Sequence, residues 1–124
     1  MEKRSAHHVS FIHAWEGIVW AFKTQPNFRI HIVFSLLALF LCFFFAVSTI
    51  EYLVIIFTII LGLSVEMINT SIESMTDLIT LEHRQDAKVA KDVAAGMMLM
   101  TALGAFVIGC VIFGPRVLDV ITSL

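Results

Sequence analysis

A carboxylate, Glu66, sits inside a stretch that otherwise reads as a membrane span, and further polar residues follow it in the run Val65-Glu66-Met67-Ile68-Asn69-Thr70-Ser71-Ile72-Glu73-Ser74-Met75-Thr76-Asp77. At about 100° per residue, Glu66, Asn69, Glu73 and Asp77 fall within an arc of roughly 80° on one helix face. An ionisable group in a bilayer is costly and normally faces protein or a wet cavity, so this stripe is where chemistry is expected. If Tyr52 marks one membrane boundary, Glu66 lies about 21 Å along the helix and Glu73 about 31 Å, against a hydrocarbon core of roughly 30 Å. A membrane alcohol with its hydroxyl just below the headgroups would meet Glu66, and a water-soluble phosphate compound would meet Glu73.

The connection that follows, 76–91, carries the remaining pieces: Asp77, Glu82, His83, Arg84, Asp86, Lys88 and Lys91, with Asp92 opening the next span. Phosphoryl transfer needs a divalent metal on the phosphate oxygens, cationic groups to offset charge and a base for the attacking hydroxyl. Carboxylates suit Mg²⁺, which prefers hard oxygen ligands. Lys91 and Arg84 can supply the positive charge. Asp86 and Lys88 read as an ordinary solvated loop, whereas Lys91-Asp92, at a helix start beside the stripe, reads as functional.

Familiar alternatives are missing. The chain has no GxxxxGK[ST] loop, no GxGxxG, no HRD triplet and no Gly-x-Ser-x-Gly elbow. Cys42 and Cys110 stand apart in apolar surroundings without CxxC spacing, and read as small hydrophobes rather than metal ligands. A net charge of -2 points neither to nucleic acid nor to an acidic partner.

The elements that must position the stripe are greasy. Of 124 residues, 59% are hydrophobic and 15% charged, the latter well below the roughly 25% of soluble domains. Segments 32–50 and 93–114 contain no charge, and 52–72 contains only Glu66. Each reaches the length of about 20 residues that crosses a bilayer. The predicted architecture is an all-α integral membrane protein, a single domain over 1–124, with spans at about 30–50, 52–76 and 90–114. Lys3, Arg4, Lys23, Arg29, Arg84, Lys88 and Lys91 flank one side and only Arg116 the other. The N-terminus and the 73–92 connection are therefore expected in the cytoplasm and the C-terminus outside. The basic start is followed by about 25 residues of mixed polarity rather than a short apolar core, so no secretory signal is expected. Instead, residues from about 5 to 25 read as an amphipathic surface helix, with Phe11, Trp15, Ile18 and Phe22 at helical spacing and Trp15 and Trp20 suited to the headgroup zone. Pro26 and Asn27 would turn the chain into the first span. Gly96, Gly104, Ala105 and Gly109 permit close helix approach in the third span. So thin a bundle around four polar groups implies a homo-oligomer, with the site shared between neighbouring chains.

The segments Asn27-Phe28-Arg29-Ile30-His31, Glu66-Met67-Ile68-Asn69-Thr70-Ser71-Ile72-Glu73, Asp77 and Ala90-Lys91-Asp92-Val93-Ala94-Ala95-Gly96 resemble the prokaryotic diacylglycerol kinase/undecaprenol kinase family. The resemblance covers nearly the whole chain in order and spacing, and the E-x-x-N-[TS]-x-I-E…D motif followed by A-K-D is highly specific. It implies a homotrimer with three spans and an N-terminal surface helix in the bacterial inner membrane.

The resemblance also implies roles. Glu66 matches the base that takes the lipid hydroxyl proton, and Glu73 matches a ligand of the Mg²⁺ bound to ATP. Asn69, Asp77, Lys91 and Asp92 match polar positions around the nucleotide, and Glu82, His83 and Arg84 match the loop that covers it. Trp15, Phe28 and Arg29 join Glu66 as expected lipid contacts. One departure is Gln25, where many members carry a second metal-binding Glu. Gln offers an oxygen without charge, so it is a weaker Mg²⁺ ligand. The Asn-Phe-Arg-Ile-His and Asn-Thr-Ser-Ile-Glu forms look more like the type that phosphorylates undecaprenol than the type that prefers diacylglycerol. A reading of another class, a non-catalytic ion-conducting or regulatory trimer, rests on Gln25 and on an acidic stripe that could line a pathway.

Overall fold

The computed structural model describes residues 6–79 and 84–123, which form four helices and no strand among the described residues. They are α1 (Ala6–Thr24), α2 (Pro26–Phe44), α3 (Thr49–Ile79) and α4 (Gln85–Thr122). The last three are long and apolar enough to cross a membrane. A hydrocarbon environment leaves backbone groups no water to bond, so an apolar chain of this kind satisfies them within helices. The chain runs back and forth: α2 packs on α3, α4 packs more extensively on α3, and α1 touches the start of α2. At 31 and 38 residues, α3 and α4 extend to about 46 and 57 Å, well past a roughly 30 Å core.

Helix boundaries follow local chemistry rather than hydrophobicity. Pro26 takes the first position of α2, where its missing N–H is no loss, and it holds Gln25 extended at φ -102°, ψ 109°. The apolar run predicts a first span to about 50, but α2 stops at Phe44. The Val47 N–H bonds the Cys42 carbonyl and the Ala46 N–H bonds the Phe43 carbonyl, both at 3.2 Å, closing the helix end with Ala46 left-handed at φ 47°. Ser48 and Glu51 then start α3 as a reciprocal cap. The Ser48 N–H donates to Glu51 Oε2 at 2.8 Å, and the Glu51 N–H donates to Ser48 Oγ at 3.3 Å. The third span, by contrast, is longer than predicted, since α4 continues through Pro115 to Thr122.

Two layers of packing result. At the α2–α3 turn end, Cys42, Ile55, Ile112 and Phe113 form a buried cluster against which Phe45 and Val47 pack. Beside it Arg116 grips Glu51 with two bonds, Nη1 to Oε1 at 3.0 Å and Nη2 to Oε2 at 2.8 Å, and also donates to the Ile112 carbonyl. The opposite end buries Ala21, Phe28 and Ala94 together with Glu66, Asn69 and Thr70. The glycines expected to bring helices together do not do so within the chain: a side-chain carbon at Gly96, Gly104 or Gly109 would meet nothing within 4 Å. Gly62 faces another helix instead: a side-chain carbon there would lie 4.0 Å from His31 Nδ1, in van der Waals contact.

The Glu51–Arg116 pair ties the start of α3 to the end of α4. Arg116→Met leaves a half-buried carboxylate with only its cap partner, so the unfolding midpoint of the detergent-solubilised protein should fall by several degrees. Glu51→Gln added to Arg116→Met should recover part of the loss, as read by a thermal melt of both variants.

Candidate active site

The face of α3 that carries the stripe is turned inward where the stripe is deepest. Glu66 is 2% exposed, Asn69 6% and Thr70 7%, while Glu73 and Asp77, one and two turns further on, are exposed. The four residues thus pass from a buried to an open environment along a single helix. The Asn69 Nδ2 group donates to Glu73 Oε1 at 3.3 Å, joining the buried part to the exposed one. Two oxygens are left over: Glu66 Oε2 and Asn69 Oδ1 are buried and accept no hydrogen bond from the described residues. A buried acceptor without a donor costs on the order of 1–3 kcal/mol. Both atoms are acceptors, so the missing groups are donors or a cation.

The helices on either side supply the positive charge and the second wall. Lys91, in the second turn of α4, donates to Asp77 Oδ1 at 2.5 Å across the mouth between α3 and α4. Asp92 is exposed beside it. Arg84 is the N-cap of α4, and its carbonyl accepts the Lys88 N–H at 3.1 Å. Glu82 and His83 lie outside the described residues. Gln25 sits at the α1–α2 junction, half-buried, its Nε2 donating to Thr24 Oγ1 at 3.3 Å. Of the expected lipid contacts besides Glu66, Phe28 is buried, whereas Arg29 and Trp15 are exposed. Phe11, Ile18 and Phe22 are exposed with Trp15, so these four large apolar side chains of α1 face outward while Ala21 is buried against the bundle.

Among the described residues no three His, Cys, Asp or Glu side chains come together as a metal cage. That donor set still suits Mg²⁺, which is commonly held by one or two carboxylates and by the phosphates of its substrate. Glu73 is exposed and offers such a carboxylate, its orientation fixed by Asn69.

Sequence reasoning located the stripe but not what lies beneath it. A cavity of about 400 Å³ opens between α2, α3 and α4, and its wall includes His31, Ser35, Thr58, Gly62 and Thr101. The signal that could have found it is Gly62, one turn before Glu66 on the same face.

Three apolar helices, with a buried carboxylate leading to an exposed one, define a membrane-embedded enzyme that meets an amphiphile on one side and water on the other. The comparisons with known proteins are more specific. Residues 12–113 match the family described as prokaryotic diacylglycerol kinase, and the chain belongs to that family. It is similar to the undecaprenol kinase of Bacillus subtilis (strain 168), at 42% identity over 86% of this chain and 87% of the relative. It is similar also to the diacylglycerol kinase of Synechocystis sp., at 37% identity over 86% of this chain and 62% of that longer relative. The diacylglycerol kinase of Escherichia coli (strain K12) is 27% identical over 81% of this chain and 82% of its own length. The chain is accordingly a lipid kinase of the membrane, using ATP as phosphoryl donor.

The Lys91–Asp77 pair is exposed on both sides, at 40% and 57% of the side chains, so it contributes little to stability. Asp77→Asn should move the thermal midpoint by no more than about 2 °C. A larger loss would identify the pair as a structural staple rather than a lysine parked where it can be recruited.

Proposed function

We propose that this chain phosphorylates undecaprenol, transferring the γ-phosphoryl group of ATP to the lipid hydroxyl, as a homotrimer of single-domain chains (1–124) in the bacterial inner membrane. The observation that carries the reading is the buried, unpartnered oxygen of Glu66 beside that of Asn69. A lipid hydroxyl is the donor this pair lacks. Glu66 accepts the hydroxyl proton as the alcohol oxygen attacks the γ-phosphorus. A new P–O bond forms, the bond to the bridging oxygen breaks, and ADP leaves with its electron pair. Removing a carboxylate from water makes it a better proton acceptor, and a positioned base contributes typically 10²–10⁴-fold.

On the open side, Asn69, Asp77, Lys91 and Asp92 bind and orient the nucleotide, and the Glu82-His83-Arg84 stretch covers it. Lys91, released from Asp77, would meet phosphate oxygens, and Arg84 adds a second cation. Glu73, with the oxygen of Gln25, would hold magnesium. Magnesium held by these residues would supply positive charge to offset that of the phosphates. Trp15, Phe28 and Arg29 contact the lipid near its headgroup level. Undecaprenol is favoured over diacylglycerol by the higher identity to the Bacillus subtilis undecaprenol kinase, 42% against 37% and 27%.

Two considerations support the assembly and orientation. Large apolar side chains stay exposed along all three long helices, and the Glu66 and Asn69 oxygens find no donor among the described residues. Neighbouring copies would cover part of that surface and complete the site. The concentration of Lys and Arg at the end bearing α1 and the α3–α4 connection supports an orientation with that end, and the active site, in the cytoplasm and the C-terminus outside.

Purified protein given Mg²⁺-ATP and either undecaprenol or diacylglycerol in parallel micelles should incorporate labelled phosphate into both lipids, with undecaprenol the better acceptor. Glu66→Gln keeps shape and hydrogen bonding but cannot take a proton. It should leave the trimer and nucleotide binding intact while lowering turnover roughly 10²- to 10⁴-fold. Near-normal turnover in a correctly assembled Glu66→Gln protein sinks the base assignment, and a preference for diacylglycerol overturns the choice of lipid.

The metal assignment has its own test. Glu73→Gln should weaken Mg²⁺-ATP binding and activity together, because it removes the charged ligand. Gln25→Glu should preserve or raise activity by restoring a second carboxylate. Loss of activity in folded Gln25→Glu protein contradicts Gln25 as a metal ligand.

A further inference from the structure

Below Glu66, the inward face of α3 continues as the wall of the cavity. Ile55, Thr58, Ile59 and Gly62 lie along that face, at the spacing that leads directly to Glu66 and Asn69. Gly62 is buried one turn from Glu66, about 6 Å along the axis. The lining is nearly all carbon, and most of its polar groups are spent on their own helices. The hydroxyls of Ser35, Thr58 and Thr101 donate to carbonyls four residues back at 2.7, 2.8 and 2.9 Å. His31 is different. Its imidazole is half-buried on the opposite wall, with Nδ1 4.0 Å from where a side-chain carbon on Gly62 would sit. Among the described residues it has no side-chain hydrogen-bond partner.

We propose that His31 sets the choice of acceptor lipid by offering a hydrogen bond that an ester-bearing alcohol can use and a polyprenol cannot. The inference rests on the reading that Glu66 receives the lipid hydroxyl. With the hydroxyl there, the next segment of the lipid lies one turn deeper, in the cavity whose wall includes both Gly62 and His31. In a diacylglycerol that segment carries an ester carbonyl a few bonds from the free hydroxyl, and the imidazole N–H donates to it. In a polyprenol the same segment is hydrocarbon, and the imidazole stays unpaired. Apolar walls discriminate weakly between lipids of similar width, whereas a group that must be hydrogen-bonded discriminates strongly. His31 is therefore a specificity residue that keeps diacylglycerol usable, and it takes no part in moving the proton or the phosphoryl group.

The test compares kcat/KM for undecaprenol and diacylglycerol in the wild-type protein, in His31→Phe, which keeps a ring but no N–H, and in His31→Gln, which keeps an N–H. His31→Phe should lower kcat/KM for diacylglycerol roughly tenfold, the size of one net hydrogen bond, and leave undecaprenol within about twofold. His31→Gln should hold the ratio of the two lipids near the wild-type value. Should His31→Phe fail to assemble by size-exclusion chromatography, His31→Leu takes its place. An unchanged ratio in the apolar variant, an equal loss on both lipids, or wild-type protein inert towards diacylglycerol alone overturns the assignment of His31 and leaves the kinase reading standing. Wild-type protein that labels neither lipid overturns both.

Discussion

A carboxylate cannot be left facing hydrocarbon, and the way α3 is turned follows from that constraint. Glu66 is placed two-thirds of the way into an apolar segment, and its burial to 2% exposure fixes which face of α3 looks at α2 and α4. Everything on that face inherits the orientation. Asn69 and Thr70 are carried inward with it, Glu73 and Asp77 emerge where the helix leaves the apolar zone, and Ile55, Thr58 and Gly62 become the wall of a cavity. One helix face thus supplies an apolar pocket, a buried base and an exposed carboxylate in sequence, the order in which a lipid alcohol and a nucleotide would meet.

The two ends of the bundle are held by different physics. At the α2–α3 turn end, Glu51 caps its own helix through Ser48 and binds Arg116 with both oxygens, while a cluster around Cys42, Ile55 and Phe113 fills the space beneath. An ion pair that is partly screened from water, geometrically paired and backed by packing can hold two helix ends together where a fully exposed pair cannot. At the other end small and flat side chains, Ala21 and Ala94 with Phe28, allow close packing around polar groups. The rigid end is remote from the stripe, and the end that carries it has an exposed ion pair, Lys91–Asp77, that rearranges at little cost.

One exposed ion pair and one amide hydrogen bond describe a resting arrangement. Lys91 neutralises Asp77, and Asn69 donates to Glu73. A phosphate group arriving at the mouth competes with Asp77 for the lysine, and a cation competes with the amide for the Glu73 oxygen. Exchange of one exposed anionic partner of Lys91 for another costs little net energy, and Glu73 gains a charged partner for a neutral one, so binding can redirect these side chains without repacking the helices.

The sequence by itself determined the class of fold, the three spans and the stripe, because length, apolarity and a 3.6-residue period are properties of local sequence. The E-x-x-N-x-x-x-E spacing made Glu66, Asn69 and Glu73 legible as one face before any coordinates. Helix ends were less legible. The Ser48-x-x-Glu51 capping pattern is present in the sequence, but a run of uncharged residues up to Ile50 masked it, so the first span was drawn beyond Phe44. Only tertiary structure decided which glycine mattered. Gly96, Gly104 and Gly109 looked like contact points, yet Gly62 is the one that meets another helix, because helix faces are assigned by packing and not by composition. The partners of Arg116 and Lys91, 65 and 14 residues away, and the unpartnered imidazole of His31 beside the cavity were likewise invisible in the chain. Each depends on how one helix is rotated against another, and that rotation is set by burying Glu66.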